Sequence, residues 1–76
     1  MDREKFDHEM LKATTMQEHG DRTDYWYGYQ RGLRRRFHSE VYGTQEEHEI
    51  WMSLTDDEDE QRVERGRGYR DGFKVD

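Results

Sequence analysis

The chain has 76 residues, of which 42% are charged and only 29% are hydrophobic, and its net charge is -6. No apolar run approaches the ~20 residues of a membrane span, and the N-terminus lacks the basic and apolar regions of a signal peptide, so we expect a cytoplasmic location. Because the sequence contains no cysteine, neither a disulfide nor a thiolate zinc site can support its small core.

The fold class follows from a balance between few aliphatic and many aromatic residues. Leu, Ile, Val and Phe make up about 13% of the chain, and a fraction below ~20% favours disorder. Ten aromatic residues oppose disorder, and the apolar residues repeat at spacings of three and four, the period of a helix. We therefore expect an all-α fold, a small bundle of three to four short helices.

The first predicted helix runs from about Asp2 to His19, and Gly20 is expected to end it. Its apolar residues, spaced by three and four, are Phe6, Met10, Ala13 and Met16. Whether this N-terminal segment, residues 1–20, docks on the rest of the chain stays open from the sequence.

The second predicted helix begins at Thr23 or Asp24, either of which can act as its N-cap. Its apolar stripe is the strongest periodic signal in the chain and comprises Trp26, Tyr29, Leu33, Phe37 and Val41. Gly43 is expected to end this helix.

Two segments that begin with Thr have the form of a capping box. Thr44-Gln45-Glu46-Glu47 predicts a short helix that buries Ile50, Trp51 and Leu54, and Thr55-Asp56-Asp57-Glu58 predicts a last helix that reaches about Lys74. Residues 23–74 should then form the helical core of a single domain spanning 1–76. The core residues we expect are Trp26, Leu33, Phe37, Trp51, Tyr69 and Phe73.

One near-repeat occurs within the chain. Residues 28–34 and 68–74 both read G-Y-x-x-G-apolar-basic, 40 residues apart. Glycine in a helix interior costs ~1 kcal/mol relative to alanine, so the pairs need a reason. Glycines at i and i+4 share one helix face and let another backbone or an aromatic ring come closer than the usual ~8–10 Å between axes. We expect a helix crossing at Gly28, Gly32, Gly68 and Gly72.

The two repeat segments resemble the ribosome modulation factor family of short bacterial proteins, in which a G-Y-x-x-G helix and a later G-W-x-x-small helix form a pair. The match covers Tyr25 to Leu33 and Gly66 to Phe73, about a quarter of the chain. The resemblance implies an antiparallel helical pair that contacts ribosomal RNA. The residues that match within the motif are Tyr29, Arg31, Tyr69 and Arg70.

Charge alternates along the chain: it is -3 over residues 1–24, +3 over 25–42, -8 over 43–61 and +2 over 62–76. Helices of opposite sign could pack on one another or across a dimer, an arginine face could bind a polyanion, or the acidic segment could imitate a nucleic-acid backbone toward a basic protein. RNA binding would use guanidinium groups on phosphates and aromatic rings on bases. The candidate residues are Arg31, Arg34, Arg35, Arg70, Tyr29 and Tyr69.

The sequence contains no pattern typical of catalysis. The four histidines lack the HExxH and Glu-x-x-His spacings of metal sites, and neither serine lies in a nucleophile elbow. We therefore expect no enzyme, metal, cofactor or small-molecule substrate. A chain this short buries only about 60% of its unfolded surface and commonly gains stability from a partner. We expect a small helical interaction or regulatory protein that binds a protein partner, as a homo-oligomer or within a larger assembly, or alternatively an RNA- or ribosome-associated regulator.

Overall fold

A computed structural model describes all 76 residues. It contains four α-helices and no β-strand, which confirms the all-α prediction. The helices are α1 (Arg3–His19), α2 (Thr23–His38), α3 (Gln45–Ser53) and α4 (Glu60–Phe73). Short 3₁₀ turns at Ser39–Val41 and Leu54–Asp56 follow α2 and α3. No helix combines the length and the apolar character that crossing a membrane requires.

The start of α2 differs from the prediction. Arg22 occupies the N-cap position, and no side chain caps this end of the helix. Asp24 lies inside the first turn, where its carboxylate accepts a hydrogen bond from Arg65 of α4 at 2.9 Å. A long-range ion pair therefore takes the carboxylate that was expected to cap the helix.

The end of α2 also differs from the prediction. The helix stops at His38, because Ser39 has a φ of 56° and leaves the helical region. Gly43 therefore does not end α2. Val41 no longer belongs to the apolar stripe and is 93% exposed.

The predicted capping boxes have different outcomes. The Thr44 hydroxyl caps α3 by accepting the backbone N–H of Glu47 at 3.1 Å, as predicted. The second box is wrong, since Thr55 lies in a 3₁₀ turn and Asp59 caps α4 by accepting the N–H of Gln61 at 2.8 Å. The extended backbone of Asp59 gives its carboxylate the geometry that an N-cap requires.

The most extensive helix contact joins α2 to α4, and these two helices run parallel. Arg22 before α2 pairs with Glu64 near the start of α4 at 3.2 Å, and Arg36 near the end of α2 pairs with Asp76 beyond the end of α4 at 3.4 Å. The antiparallel arrangement that the family resemblance implies is therefore wrong for this chain. A parallel pair needs a connection that returns along the ~24 Å of α2, and the segment containing α3 supplies it.

The interior contains few side chains. The buried apolar residues are Phe6, Ala13, Tyr29, Leu33 and Tyr69. Four of the six residues predicted to form the core are only half-buried: Trp26, Phe37, Trp51 and Phe73. A chain of this size has too little interior to enclose all of its aromatic rings. Two residues predicted to be covered, Met16 and Ile50, also lie exposed.

Helix α1 is docked on α2. The rings of Phe6 and Phe37 stack with their centres 4.5 Å apart, and Ala13 is completely buried. Glu9 is also buried, and its carboxylate accepts a hydrogen bond from the Tyr29 hydroxyl at 2.7 Å. The bundle therefore has α2 at its centre, with α1 on one side and α4 and α3 on the other.

Candidate functional site

Four glycines bring the backbones of α2 and α4 into direct contact. A Cβ on Gly32 would overlap the carbonyl oxygen of Tyr69, and a Cβ on Gly72 would overlap that of Tyr29. Gly28 and Gly68 make the same kind of contact one turn earlier. Each of these glycines therefore contacts the backbone of the other helix rather than an aromatic ring. Because equivalent glycines of the two repeat segments make equivalent contacts, the two parallel helices are related by an approximate two-fold axis.

Two of the tyrosines predicted to contact RNA lie in the interior. Tyr29 donates its hydroxyl hydrogen to Glu9, and the Tyr69 hydroxyl lies 2.8 Å from Nδ1 of His48. Burial raises the pKa of Tyr69, and burial together with the Glu9 hydrogen bond raises that of Tyr29. Because both rings are covered by neighbouring helices, neither can stack on a base.

The four arginines predicted to bind RNA lie in different environments. Arg70 donates to the backbone carbonyl of Met52 and satisfies the end of α3. Arg35 is buried and donates to Gln45 at 3.2 Å. The other two arginines reach the surface, where aromatic rings surround them.

A continuous series of cation and aromatic contacts crosses the surface beside α3. We call it the arginine–aromatic row, and its members in order of contact are Arg65, Tyr27, Trp51, Arg31, Tyr42 and Arg34. The guanidinium carbon of Arg31 lies 4.9 Å from the Trp51 ring centre and 5.5 Å from that of Tyr42. Such distances lie within the range of cation–π attraction.

The remaining contacts complete the row at both ends. The guanidinium carbon of Arg65 lies 5.5 Å from the Tyr27 ring centre, and the Tyr27 and Trp51 ring centres are 6.2 Å apart. At the other end, Arg34 lies 5.7 Å from the Tyr42 ring centre. Helix α2 presents three members on one face because residues 27, 31 and 34 are separated by four and three positions.

Trp51, in the middle of the row, packs on a buried aromatic ring. Trp51 stacks on the buried Tyr69 ring, with centres 5.2 Å apart and planes inclined by 20°. The outer aromatic residues stay accessible, since Tyr27 is 41% and Tyr42 is 36% exposed. The row therefore combines a fixed centre with aromatic rings that another molecule can reach.

The sequence predicted only part of this row. Arg31 and Arg34 were candidate binding residues, Trp51 was expected in the core, and Tyr42 and Arg65 were not among the candidate site residues. The only local feature that distinguishes Tyr42 is that an aromatic residue lies beside Gly43 in the polar segment between α2 and α3. Its proximity to the arginines depends on how the chain folds back after α2.

A narrow cleft lies beneath the row, between α2 and α3. Its volume is about 10 Å³, and its lining residues are Arg31, Arg35, Tyr42, Gly43, Glu47, His48, Trp51 and Tyr69. The Nε atoms of both arginines are buried and have no hydrogen-bond partner in the chain. Burial, and after it the charge of Arg35, lowers the pKa of His48, which favours the neutral imidazole.

The ion pairs show which of the charged segments contact one another within one chain. Two pairs join α2 or the residue before it to α4, namely Arg22 with Glu64 and Arg65 with Asp24. The acidic segment makes only a local pair, between Asp57 and Arg62 at 3.5 Å. Its remaining carboxylates are all exposed: Glu46, Glu47, Glu49, Asp56, Glu58, Asp59 and Glu60. No group of three or more histidine and acidic side chains converges as a metal site would require.

Comparison of the chain with known protein families, with curated proteins and with solved structures finds no match.

Proposed function

We propose that this chain is a non-enzymatic helical interaction protein that binds another protein surface through the arginine–aromatic row. The observation that carries the proposal is the composition of this continuous surface, which contains only Arg, Tyr and Trp. These three residue types dominate the hot spots of protein–protein interfaces. A shorter series of the same residue types, Arg22, Tyr25 and Trp26, lies at the start of α2, but its one guanidinium group is already paired with Glu64.

The packing of the row also suits binding. Trp51 is fixed on Tyr69, and Arg31 lies between the rings of Trp51 and Tyr42. Side chains that are already ordered lose less conformational entropy when a partner arrives. The row therefore favours association more than the same residues would on a flexible segment.

Charge indicates the chemistry of the partner. The row carries three guanidinium groups, of which only that of Arg65 has a carboxylate partner, Asp24. An acidic protein surface would complement the row and steer the encounter. The exposed carboxylates of the acidic segment, such as Glu46 and Glu49, make a second copy of this chain the first partner to test.

Sedimentation velocity over a range of protein concentrations tests the proposal. We expect the wild-type chain to self-associate, and we expect Tyr42→Ser and Tyr27→Ser to weaken this association by about tenfold or more, the effect of losing a hot-spot side chain. Val41→Ser is the matched control, because Val41 is 93% exposed and lies outside the row. Circular dichroism verifies that each variant keeps its helices.

Two results would contradict self-association through the row. One is a wild-type chain that stays monomeric at every concentration. The other is association that Tyr42→Ser and Val41→Ser affect equally.

A second candidate function is RNA binding, because single-stranded RNA is also bound by arginine and aromatic side chains together. It has less support from the structure, since Arg35, Arg70, Tyr29 and Tyr69 are engaged inside the bundle. Filter binding at increasing salt distinguishes the two. RNA binding predicts a log–log slope of about -0.7 for each phosphate contact, whereas a flat titration at low salt excludes it.

A further inference from the structure

The cleft beneath the row contains two charged donors without acceptors. Arg31 and Arg35 lie one turn apart on α2, and both line the cleft. The Nε atom of each is shielded from solvent and has no partner in the chain. Buried polar groups in folded proteins are nearly always hydrogen-bonded, and a charged donor without an acceptor is costly. Two such donors at one cleft indicate an acceptor from outside the chain.

The charge of the cleft favours an anion over water. The lining contains two arginines and one acidic residue, Glu47, and its other titratable residues are His48, Tyr42 and Tyr69. Part of the Glu47 carboxylate is already engaged, because one of its oxygens lies 3.4 Å from the Thr44 hydroxyl. The lining therefore keeps a net positive charge when His48 is neutral.

The size of the cleft restricts the ligand. A volume of about 10 Å³ gives room for about one particle the size of water. A halide ion is only slightly larger than water, whereas sulfate and phosphate carry four oxygens and would have to displace the lining. We propose that this cleft binds a single halide-sized anion, which accepts hydrogen bonds from the Nε–H groups of Arg31 and Arg35. This goes beyond the proposed protein association, because it concerns a ligand inside one chain.

Thermal unfolding in chloride tests the site. Sodium gluconate replaces sodium chloride at constant ionic strength, so that the anion changes from a halide to an organic carboxylate too large for the cleft. A ligand at about five times its dissociation constant shifts the folding equilibrium about sixfold, which corresponds to a rise of about 4–8 °C in Tm for a domain of this size. We expect a saturable rise of this order in chloride and none in gluconate.

Variants locate the effect. Arg31→Lys keeps the positive charge but lacks the Nε–H group, and we expect it to lose the chloride-dependent rise. Arg36→Lys is the matched control on the same helix, since Arg36 instead reaches Val75 and Asp76 at the C-terminus. It should keep the full effect. Broadening of the ³⁵Cl NMR signal by the wild-type protein measures the bound ion independently of folding.

Each outcome decides the matter. A chloride-specific rise in Tm that Arg31→Lys removes and Arg36→Lys retains, with ³⁵Cl broadening, supports the site. Equal Tm in chloride and gluconate overturns it and assigns the cleft to water. If Arg31→Lys does not fold, absence of ³⁵Cl broadening by the wild-type chain overturns the proposal on its own. Because none of these measurements requires association, their failure would leave the protein-binding proposal standing.

Discussion

Gly32 of α2 lies directly against the backbone carbonyl of Tyr69 in α4, so closely that a side chain on the glycine would overlap the oxygen. The repeat reproduces this contact in the opposite sense, with Gly72 against the carbonyl of Tyr29. Small residues at this spacing let helix backbones approach and place Cα–H groups near carbonyl oxygens. Backbone contact thus holds together a bundle that has few buried side chains.

Adding a methyl group to the contact should destabilise the fold. We expect Gly68→Ala to lower the free energy of unfolding by about 1–3 kcal/mol, because its Cβ would overlap the Tyr25 carbonyl, even though alanine gains ~1 kcal/mol in helix propensity. Gly43→Ala is the control, since its Cβ would lie an ordinary 3.7 Å from Arg35. Urea denaturation measures both variants. Equal stabilities would show that α2 and α4 have space between them.

The buried hydrogen bond between Tyr29 and Glu9 should contribute a pH-dependent part of the stability. The Tyr29 hydroxyl holds the pKa of Glu9 below its ordinary value of 4.5. A carboxyl whose pKa is lower in the folded state stabilises the protein above its unfolded pKa and loses this contribution as pH falls through the folded pKa. We expect Tyr29→Phe to cost about 1–3 kcal/mol at neutral pH.

This cost should shrink as the solution is acidified from neutral pH toward about pH 2.5, which a series of urea denaturation curves measures. Tyr27→Phe is the control, because the Tyr27 hydroxyl makes no hydrogen bond in the chain. A cost of Tyr29→Phe that stays constant down to low pH would be inconsistent with the bond to an ionised Glu9.

His48 should titrate below its ordinary pKa of 6.5, because burial, followed by the charge of Arg35, disfavours the imidazolium. Since the unfolded chain then binds a proton before the folded chain does, this group stabilises the fold above pH 6.5 and loses its contribution as pH falls through the lowered pKa. NMR titration of the ring protons measures the pKa directly. A His48→Gln variant should lose this part of the pH dependence, and a wild-type pKa at or above 6.5 would refute the burial of the ring.

The end of α3 should depend on Arg70. We expect Arg70→Met to cost about 1.5–3 kcal/mol, because its guanidinium donates to the Met52 carbonyl. In Arg70→Met, amide hydrogen exchange should accelerate more in α3 than in α2. Arg67→Met is the control on the same helix, since Arg67 makes only an exposed pair with Glu64 at 3.7 Å, of a kind worth ~0–1 kcal/mol. Equal exchange in both variants would argue against this cap.

The sequence predicted the existence of the helices better than their ends. Apolar spacing located all four, because burial of one helix face depends on residues close in the chain. The predicted N-cap of α2 was wrong because the Asp24 carboxylate instead pairs with Arg65, 41 residues away in the sequence. Ser39 ended α2 through a backbone conformation that its residue type does not favour.

The direction of the helix pair and the composition of the row depended on tertiary structure. Glycine faces on two helices can meet in either direction, and the repeat does not distinguish a parallel from an antiparallel pair. Tyr42 and Arg65 joined the row only because the chain returns along α2 and begins α4 beside its start. Sequence periodicity contains no information about such contacts.

Nuclear Overhauser effects between α-protons of α2 and α4 test the glycine-mediated backbone contact most directly. Parallel helices in contact through their glycines predict strong cross-peaks from the α-protons of Gly28 and Gly32 to α4 residues near Gly68 and Gly72. They also predict that the order of these contacts ascends together along both helices. Absence of these cross-peaks, or an order that descends along α4 as it ascends along α2, would contradict the parallel glycine contact.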